Sequence, residues 1–508
     1  MPLNVEELLR QNAQLAEQLR VLKEENRLLR QKIQFLLKRM FGRKSEKFDR
    51  RQLEFLLEGL IDTDPENPDP PPSPGSPPRS PRSRPSKPRL PENLPTEDVV
   101  IDPEAVKQNP EAYRCIGEEV TEELDVVPTR YFRRRIVRRK YVRTEQRGLA
   151  PLIAPVPPRL IEGGYASAGL LTDIILKKYI DHLPLYRQEQ ILRTRHGIEL
   201  SRKTMCDWVR VAAGWPKPIY NHLREDLRAS AYLQVDETPI RYCLAEAGGS
   251  AQGYFWVYHH PGGEVLYEWH TSRSAQCLEG MLGGFAGTVQ ADGYGAYASY
   301  VQGRQAQVEE QLSDKPIVLA GCWAHARRGF HEALDECPGL ASWFLHQIGL
   351  MYRIESELRG KGAALRAAVR TAGTRMVLER IHRALGQKLA AHRPTSRMGK
   401  AIGYAMSQWQ QLLRFCEDGR LEIDNNLVEN AVRPTAVGKK NWLFIGHPEA
   451  GQNSAILYTL LENCRRLGLN PREYLCDVLT RLPTMTNQQT RSVTPANWLA
   501  ARRQHQAA

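Results

Sequence analysis

Tyr232-Leu233-Gln234-Val235-Asp236 alternates apolar and polar residues and stops on an acid, which reads as a β-strand. Two more strands follow, Gly253-Tyr254-Phe255-Trp256-Val257-Tyr258 and Val265-Leu266-Tyr267-Glu268-Trp269, both rich in aromatic and β-branched residues. A short helix is expected around Ala275 to Leu282. The strand Thr288-Val289-Gln290-Ala291-Asp292 comes next, then another at Ile317-Val318-Leu319-Ala320. From about 340 to 420 the chain reads as helical and rather polar. A helix over 424–433 and the segment 451–467 complete the pattern. Strands interleaved with helices predict an α/β class.

Three strands, a helix, then further strands is the order of a ribonuclease-H-like sheet. The expected catalytic core therefore has two parts, 226–340 and 421–468, separated by a helical insertion at 341–420 and followed by a tail at 469–508. Asp236 is read as ending the first strand and Asp292 the fourth. In such a sheet these strands are neighbours, so the two carboxylates would converge. The candidate third acid is Glu429, within Asp424-Asn425-Asn426-Leu427-Val428-Glu429-Asn430-Ala431-Val432-Arg433-Pro434. Three carboxylates make a hard-oxygen site for Mg2+, with Mn2+ able to substitute. Two such ions can activate an attacking oxygen and stabilise a leaving one on a phosphodiester. Each acid alone is ordinary, since Asp after a strand is commonly a turn residue and a helical Glu is commonly solvated. The weight lies in the combination, with Asn425, Asn426 and Arg433 beside Glu429 and the basic pair Lys439-Lys440 beyond them.

Toward the N-terminus, residues 165–215 read as short helices within a helix-turn-helix-like region at 151–225. Gly197 sits in the turn and Ser201 caps the next helix. Arg202, Lys203 and Thr204 then occupy the first turn, where recognition helices reach DNA, with Met205, Trp208 and Val209 facing inward. A plain helical subdomain is the alternative. Residues 101–150 form a small basic module. Arg130, Arg133, Arg134, Arg135, Arg138, Arg139, Lys140 and Arg143 fall within fourteen positions. Interleaved Tyr131, Phe132, Ile136, Val137, Tyr141 and Val142 predict strands with a basic face, for phosphate contact or as a solvated surface. Residues 62–95 hold 13 of the 34 prolines, so 46–100 reads as a disordered linker, a spacer rather than a signalling ligand. In 1–45, Leu8, Leu15, Leu22, Leu29 and Leu36 repeat every seven residues, with Asn12 and Asn26 at the other core position. That pattern predicts a parallel coiled-coil dimer, the alternative being a long amphipathic helix packed on its own protein.

At about 150 residues per domain, 508 residues predict three to four domains. The hydrophobic fraction of 41% and the charged fraction of 25% are ordinary for a globular protein. Lys plus Arg number 71 against 58 Asp plus Glu, and the net charge of +13 favours a polyanionic partner. No run of eighteen apolar residues occurs, so no membrane-spanning helix is expected. The start Met1-Pro2-Leu3-Asn4-Val5 has no secretory character, and nine scattered cysteines make no disulfide framework. A cytoplasmic, nucleoid-associated protein is expected.

The chain resembles the DDE transposases of the insertion sequence 66 family nearly end to end. The resemblance rests on the leucine-rich helix followed by Phe41-Gly42-Arg43-Lys44-Ser45-Glu46, on Val235-Asp236-Glu237-Thr238, on Asp292-Gly293-Tyr294 and on Gly321-Cys322-Trp323-Ala324-His325-Ala326-Arg327-Arg328. The most specific part is Asp424-Asn425-Asn426 through Glu429, Arg433-Pro434, Gly438-Lys439-Lys440-Asn441-Trp442 and Gly446. Asn470-Pro471-Arg472-Glu473-Tyr474-Leu475 and Leu482-Pro483 fit as well. The resemblance implies Asp236, Asp292 and Glu429 as the catalytic, metal-holding triad. It implies a reaction that cleaves at the ends of a mobile element and joins the exposed 3′-hydroxyl to new DNA.

Cys322 and His325 resemble the Cys-x-x-His element of such enzymes and are expected to support the acidic site, with Asn426 and Arg433. Arg327, Arg328, Lys439 and Lys440 are expected on the DNA backbone, as are Arg133, Arg134, Arg135, Arg138 and Arg139. Relatives commonly carry a zinc module with two Cys-x-x-Cys pairs, but here that region has only Cys115, so zinc is not expected there. Zinc on Cys322, His325, His331 and Cys337 is disfavoured too, because His331 lies six helical positions from His325. The expected partners are double-stranded DNA, a second copy of the chain through the coiled coil, and element-encoded accessory proteins. Two rivals remain at this point: a ribonuclease-H-like nuclease without strand transfer, and a catalytically silent dimeric DNA-binding regulator.

Overall fold

The computed structural model describes residues 130–141, 152–153, 155–244, 248–309 and 316–507. The expected coiled coil (1–45) and linker (46–100) lie outside the described residues, as does most of the basic module. Where that module is described, residues 130–139 carry no regular structure. Only β1 (Lys140–Tyr141) pairs, antiparallel, with β2 (Leu152–Ile153). The predicted run of strands does not form there, because Phe132, Ile136 and Val137 are exposed and their alternation buries no apolar face.

Four helices follow: α1 (Ala168–Tyr179), α2 (Leu185–His196), α3 (Arg202–Gly214) and α4 (Lys217–Ala229). Gly197 ends α2 with φ 62°, a left-handed conformation that glycine adopts without a Cβ penalty. Ser201 caps α3 by accepting the N–H of Thr204. Met205, Trp208 and Val209 are buried, while Arg202 and Lys203 are exposed in the first turn and Thr204 is half-buried.

The sheet is built from β3 (Tyr232–Cys243), β4 (Ser250–His259), β5 (Val265–His270), β6 (Gly287–Gln290), β7 (Ile317–Ala320) and β8 (Phe444–Ile445). Its order is β5-β4-β3-β6-β7, with β8 also on β3. β3, β4 and β5 are antiparallel, whereas β3, β6 and β7 run parallel. Between β5 and β6 lie the 3-10 turn Ala275–Leu278 and α5 (Glu279–Leu282), where a short helix was expected. The edge strand β5 is covered by α14 (Pro448–Arg466). Thr459 accepts the N–H of Tyr267, and Asn463 bonds both the N–H and the carbonyl of Val265. These bonds satisfy edge groups that would otherwise be open to pairing with another chain.

Asp236 does not end its strand, contrary to the sequence reading. β3 runs on to Cys243 because β4 pairs with it from Gln234 to Cys243. What ends near Asp236 is the parallel pairing with β6, whose last pair is Gln234 with Gln290. The sequence reading also gave no helix between β6 and β7. α6 (Gly295–Glu309) lies there and fully buries only Tyr297 and Arg304, so it has no apolar stripe to read.

Beyond β7 come α7 (Trp323–Glu332), α8 (Pro338–Glu357), α9 (Ala363–Val369), the π turn Arg370–Thr374, α10 (Arg375–Leu389), α11 (Arg397–Ser407) and α12 (Trp409–Glu417). These helices hold a second apolar core around Phe330, Phe344, Ile381, Ile402 and Leu412. α13 (Asn426–Trp442) runs through Pro434 rather than stopping before it. Pro434 removes one N–H from the helical ladder, but packing of Val428, Ala431, Val432 and Thr435 keeps the helix continuous. α15 (Pro471–Arg481) and α16 (Pro495–Ala507) finish the chain. No helix among the described residues is long and apolar enough to cross a membrane.

Candidate active site

Parallel strands open a crevice beyond their C-terminal ends. Asp236 and Asp292 each lie two residues beyond the last parallel pair, Gln234 with Gln290, so Asp292 stands just past the end of β6 rather than ending it. Both acids are half-buried. Burial pushes the Asp236 carboxyl up to about 8, and the nearby carboxylates of Glu237, Glu429 and Asp292 push in the same direction. The other two acids chosen from sequence thus both bear on Asp236, although Glu429 lies 193 and 137 positions beyond Asp236 and Asp292 along the chain. Asp292 is oriented by accepting the N–H of Tyr294 at 2.9 Å.

Glu429 lies in the first turn of α13, where a carboxylate is favoured by the helix dipole. His325 Nδ1 is 3.7 Å from its Oε1, and Arg328 Nη2 is 3.9 Å from its Oε2. Both His325 Nδ1 and Glu429 Oε1 are buried atoms with no hydrogen-bond partner. The Cys322 thiol is buried, which pushes it up to about 12, and its sulfur accepts the N–H of Asn425 at 3.5 Å. Ligand atoms of Cys322, His325 and Glu429 lie within 4.8 Å of one another. His331 and Cys337 are not in that group. α7 is continuous from Trp323 to Glu332 and carries both His325 and His331.

α13 is fastened to the acid-bearing strands by a buried amide network. Gln234 accepts the N–H of Val428 at 3.2 Å and donates to the Asp424 carbonyl at 2.8 Å. It also donates to Gln290 at 3.0 Å, and Gln290 donates at 2.9 Å to the carbonyls of Gly321 and Glu422. These glutamines sit two residues before Asp236 and Asp292 and were not singled out from sequence. Their sign was only a polar side chain at a position of the strand that should be buried. Asp424 accepts the N–H and side-chain amide of Asn426 and the hydroxyl of Tyr352 on α8, the last at 2.7 Å.

The other sequence candidates divide. Asn426 is drawn to Asp424 rather than to the triad, and Arg433 is exposed on α13 and pairs with none of the three acids. Lys439 reaches back to Thr238 and the Pro239 carbonyl, while Lys440 is exposed beside it. Arg327 and Arg328 flank the site on α7. Arg133, Arg134, Arg135, Arg138 and Arg139 are exposed in the irregular segment, which is pinned by Tyr131 donating to Asp173 at 3.0 Å. Arg202, Lys203 and Thr204 form a separate surface on α3.

The turn carrying Asp292 tolerates little change. A Cβ on Gly293 would fall 2.6 Å from the ring of Tyr404 on α11. Gly293→Ala should therefore displace the turn that carries Asp292, which a crystal structure of the variant overlaid on that of the wild type checks; an unmoved turn would mean that the Tyr404 ring gives way instead.

Comparison with known protein families matches residues 163–453 to the family described as "Transposase IS66 family", more than half of the 508 residues. Residues 459–496 match the "IS66 C-terminal element", and residues 28–99 match "Transposase C of IS166 homeodomain". Three relatives come from Sinorhizobium fredii (strain NBRC 101917 / NGR234). Uncharacterized protein y4qI is 34% identical over 72% of this chain and 68% of its own length. Uncharacterized protein y4jD is 32% identical over 81% of each, and uncharacterized protein y4hP is 26% identical over 81% of this chain and 76% of its own length. The acids and their supports on β3, β6, α7 and α13 all fall inside the matched core, and the chain belongs to the IS66 transposase family.

Proposed function

We propose that this family member is a DDE transposase with a ribonuclease-H-like core, whose triad Asp236, Asp292 and Glu429 cleaves DNA and transfers strands at the ends of a mobile element. The observation that carries this reading is the convergence of three acids from β3, the residues just past β6, and α13. A sheet of three antiparallel strands continued by two parallel ones supports the fold reading. In cleavage, water oxygen bonds to phosphorus, the P–O3′ bond breaks, and the freed 3′ oxygen takes up a proton as water loses one. In transfer, that 3′-hydroxyl bonds to a target phosphorus while a target P–O3′ bond breaks. The number of phosphodiester bonds is conserved, so joining needs no energy source.

The donor set fits Mg2+: three carboxylate groups, with the negative charges of Glu429 and Asp292 bearing on a buried Asp236. When bound, the metal supplies a lowered nucleophile pKa and charge neutralisation at phosphorus. His325 Nδ1 stands 3.7 Å from Glu429 without a hydrogen bond to it, and the Cys322 thiol anchors the start of α13. Zinc plays no part in this proposal.

Outside the core, α3 is the reading element, with Arg202, Lys203 and Thr204 toward DNA, and the arginine segment grips phosphates. The helices at 341–420 are the insertion, 151–225 the DNA-binding region, and 469–508 the tail. Dimerisation through 1–45 would pair protomers for two element ends. Element-encoded accessory proteins are further partners.

The test incubates the purified full chain with duplexes from the terminal repeats flanking its gene, target DNA and Mg2+. Joined products are the expected result. Cleavage without joining would indicate a nuclease, and binding without cleavage a silent regulator.

A further inference from the structure

Beside the triad runs a chain of polar contacts that the triad itself does not explain. Arg273 lies in the turn after β5, and its Nε donates to Glu237 Oε1 at 2.9 Å, with Nη2 on the same oxygen. The other Glu237 oxygen accepts the Tyr297 hydroxyl from α6. The guanidinium sits 3.7 Å from the ring centroid of Tyr294. Tyr294 donates its hydroxyl to the Arg273 carbonyl at 3.0 Å and its N–H to Asp292 at 2.9 Å. Arg273 is thus held through the chain neighbour of Asp236 on one side and through a residue bonded to Asp292 on the other.

The two partners of the ion pair differ in a way that separates their roles. The Glu237 side chain is 2% exposed and has both oxygens occupied, whereas that of Arg273 is 40% exposed. Both oxygens of Glu237 are thus already engaged, one by Arg273 and one by Tyr297. An ion pair this open to water on one side adds little stability. It does immobilise the guanidinium: the Nε and Nη2 edge is taken by Glu237 and one face by Tyr294. The exposed part of the side chain is what this cation offers to a ligand. A fixed, permanently charged N–H donor of this kind suits a phosphate oxygen. The negative charge of Asp292 also reaches Arg273.

We propose that Arg273 binds one backbone phosphate of the DNA strand that lies in the acid site, next to the reacting bond, with Glu237, Tyr294 and Tyr297 as positioning residues. The proposal rests on the DNA-processing reading above and adds a substrate-contacting residue that the triad does not contain.

The test uses the full chain, Mg2+ and terminal-repeat duplexes that each carry one neutral methylphosphonate near the cleavage position. Arg273→Ala is expected to slow cleavage about 10- to 100-fold, the worth of a charge-assisted hydrogen bond, with duplex binding changed less than about threefold. At one phosphate position, neutralisation should slow the wild type by a similar factor and slow Arg273→Ala no further. Arg273→Lys, which keeps the charge without the fork, should fall between the two and serves if the alanine variant does not fold. Losses that multiply at every phosphate position would make Arg273 only a partner of Glu237 and overturn the proposal, as would wild-type speed in Arg273→Ala. A wild type that neither cleaves nor joins would instead remove the transposase reading, and this proposal with it.

Discussion

Asp292→Asn is expected to lower strand cleavage about 10³-fold while leaving binding of element-end duplexes within about threefold. The loss follows from what a carboxylate does at this position. An amide keeps the shape and can still accept the Tyr294 N–H, but it removes one negative charge from the proposed divalent-cation site. A missing ligand forfeits several kcal/mol of charge stabilisation at the transition state, and about 4 kcal/mol corresponds to about 10³-fold. Binding should survive because Arg202, Lys203 and the exposed arginines of 133–139 lie on other parts of the chain. The folded state should not weaken either. Asp236 is pushed up to about 8 partly by its carboxylate neighbours, so removing one of them relieves repulsion. A cleavage assay, a gel-shift titration and a thermal melt on the same preparation check the three parts. Cleavage within tenfold of wild type would place the chemistry on other residues.

Arg370→Ala should cost about 3–5 kcal/mol of folding stability, the usual price of breaking a buried ion pair from one side. Arg370 is fully buried. Its Nε and Nη2 hold the two Glu355 oxygens at 2.8 and 2.7 Å. Nη1 donates to the Phe415 carbonyl at 2.6 Å, and Nη2 to that of Leu421 at 2.9 Å. Truncation leaves Glu355 with only Arg366, at 3.7 Å, and takes a donor from the carbonyls of Phe415, Asp418 and Leu421. The melting temperature should drop on the order of 10 °C, with proteolysis appearing first between α8 and α12. Replacing Arg370 and Glu355 together by methionine should lose much less, since no charge is then stranded. A shift below about 2 °C for Arg370→Ala would show that this joint carries little of the stability. The joint also bears on the active site. The segment it ties down leads through Glu422, which accepts from Gln290, to Asp424 and α13.

Much of this architecture was legible because it is written in short-range patterns. Short runs rich in apolar, aromatic and β-branched residues located β3, β4, β5, β6 and β7. The Gly197 turn and the Ser201 cap located the start of α3. Each of these signals is local: a side chain's periodicity, a φ angle that suits glycine, a hydroxyl three residues from an unpaired N–H. α6 was not legible, since a helix with only Tyr297 and Arg304 fully buried has no stripe.

Sequence alone carried the family motifs, the candidate acids and the α/β alternation, all of which depend on residue type and spacing. Tertiary structure alone decided that β3 continues past Asp236, that paired glutamines fasten α13 beneath Glu429, and that Glu237 is committed to Arg273 and Tyr297. Those facts depend on partners tens to hundreds of positions apart, brought together by strand pairing and helix packing. Burial then selects which of the many possible polar pairs must form, because in a dry interior an unpaired charge or amide is too costly to leave.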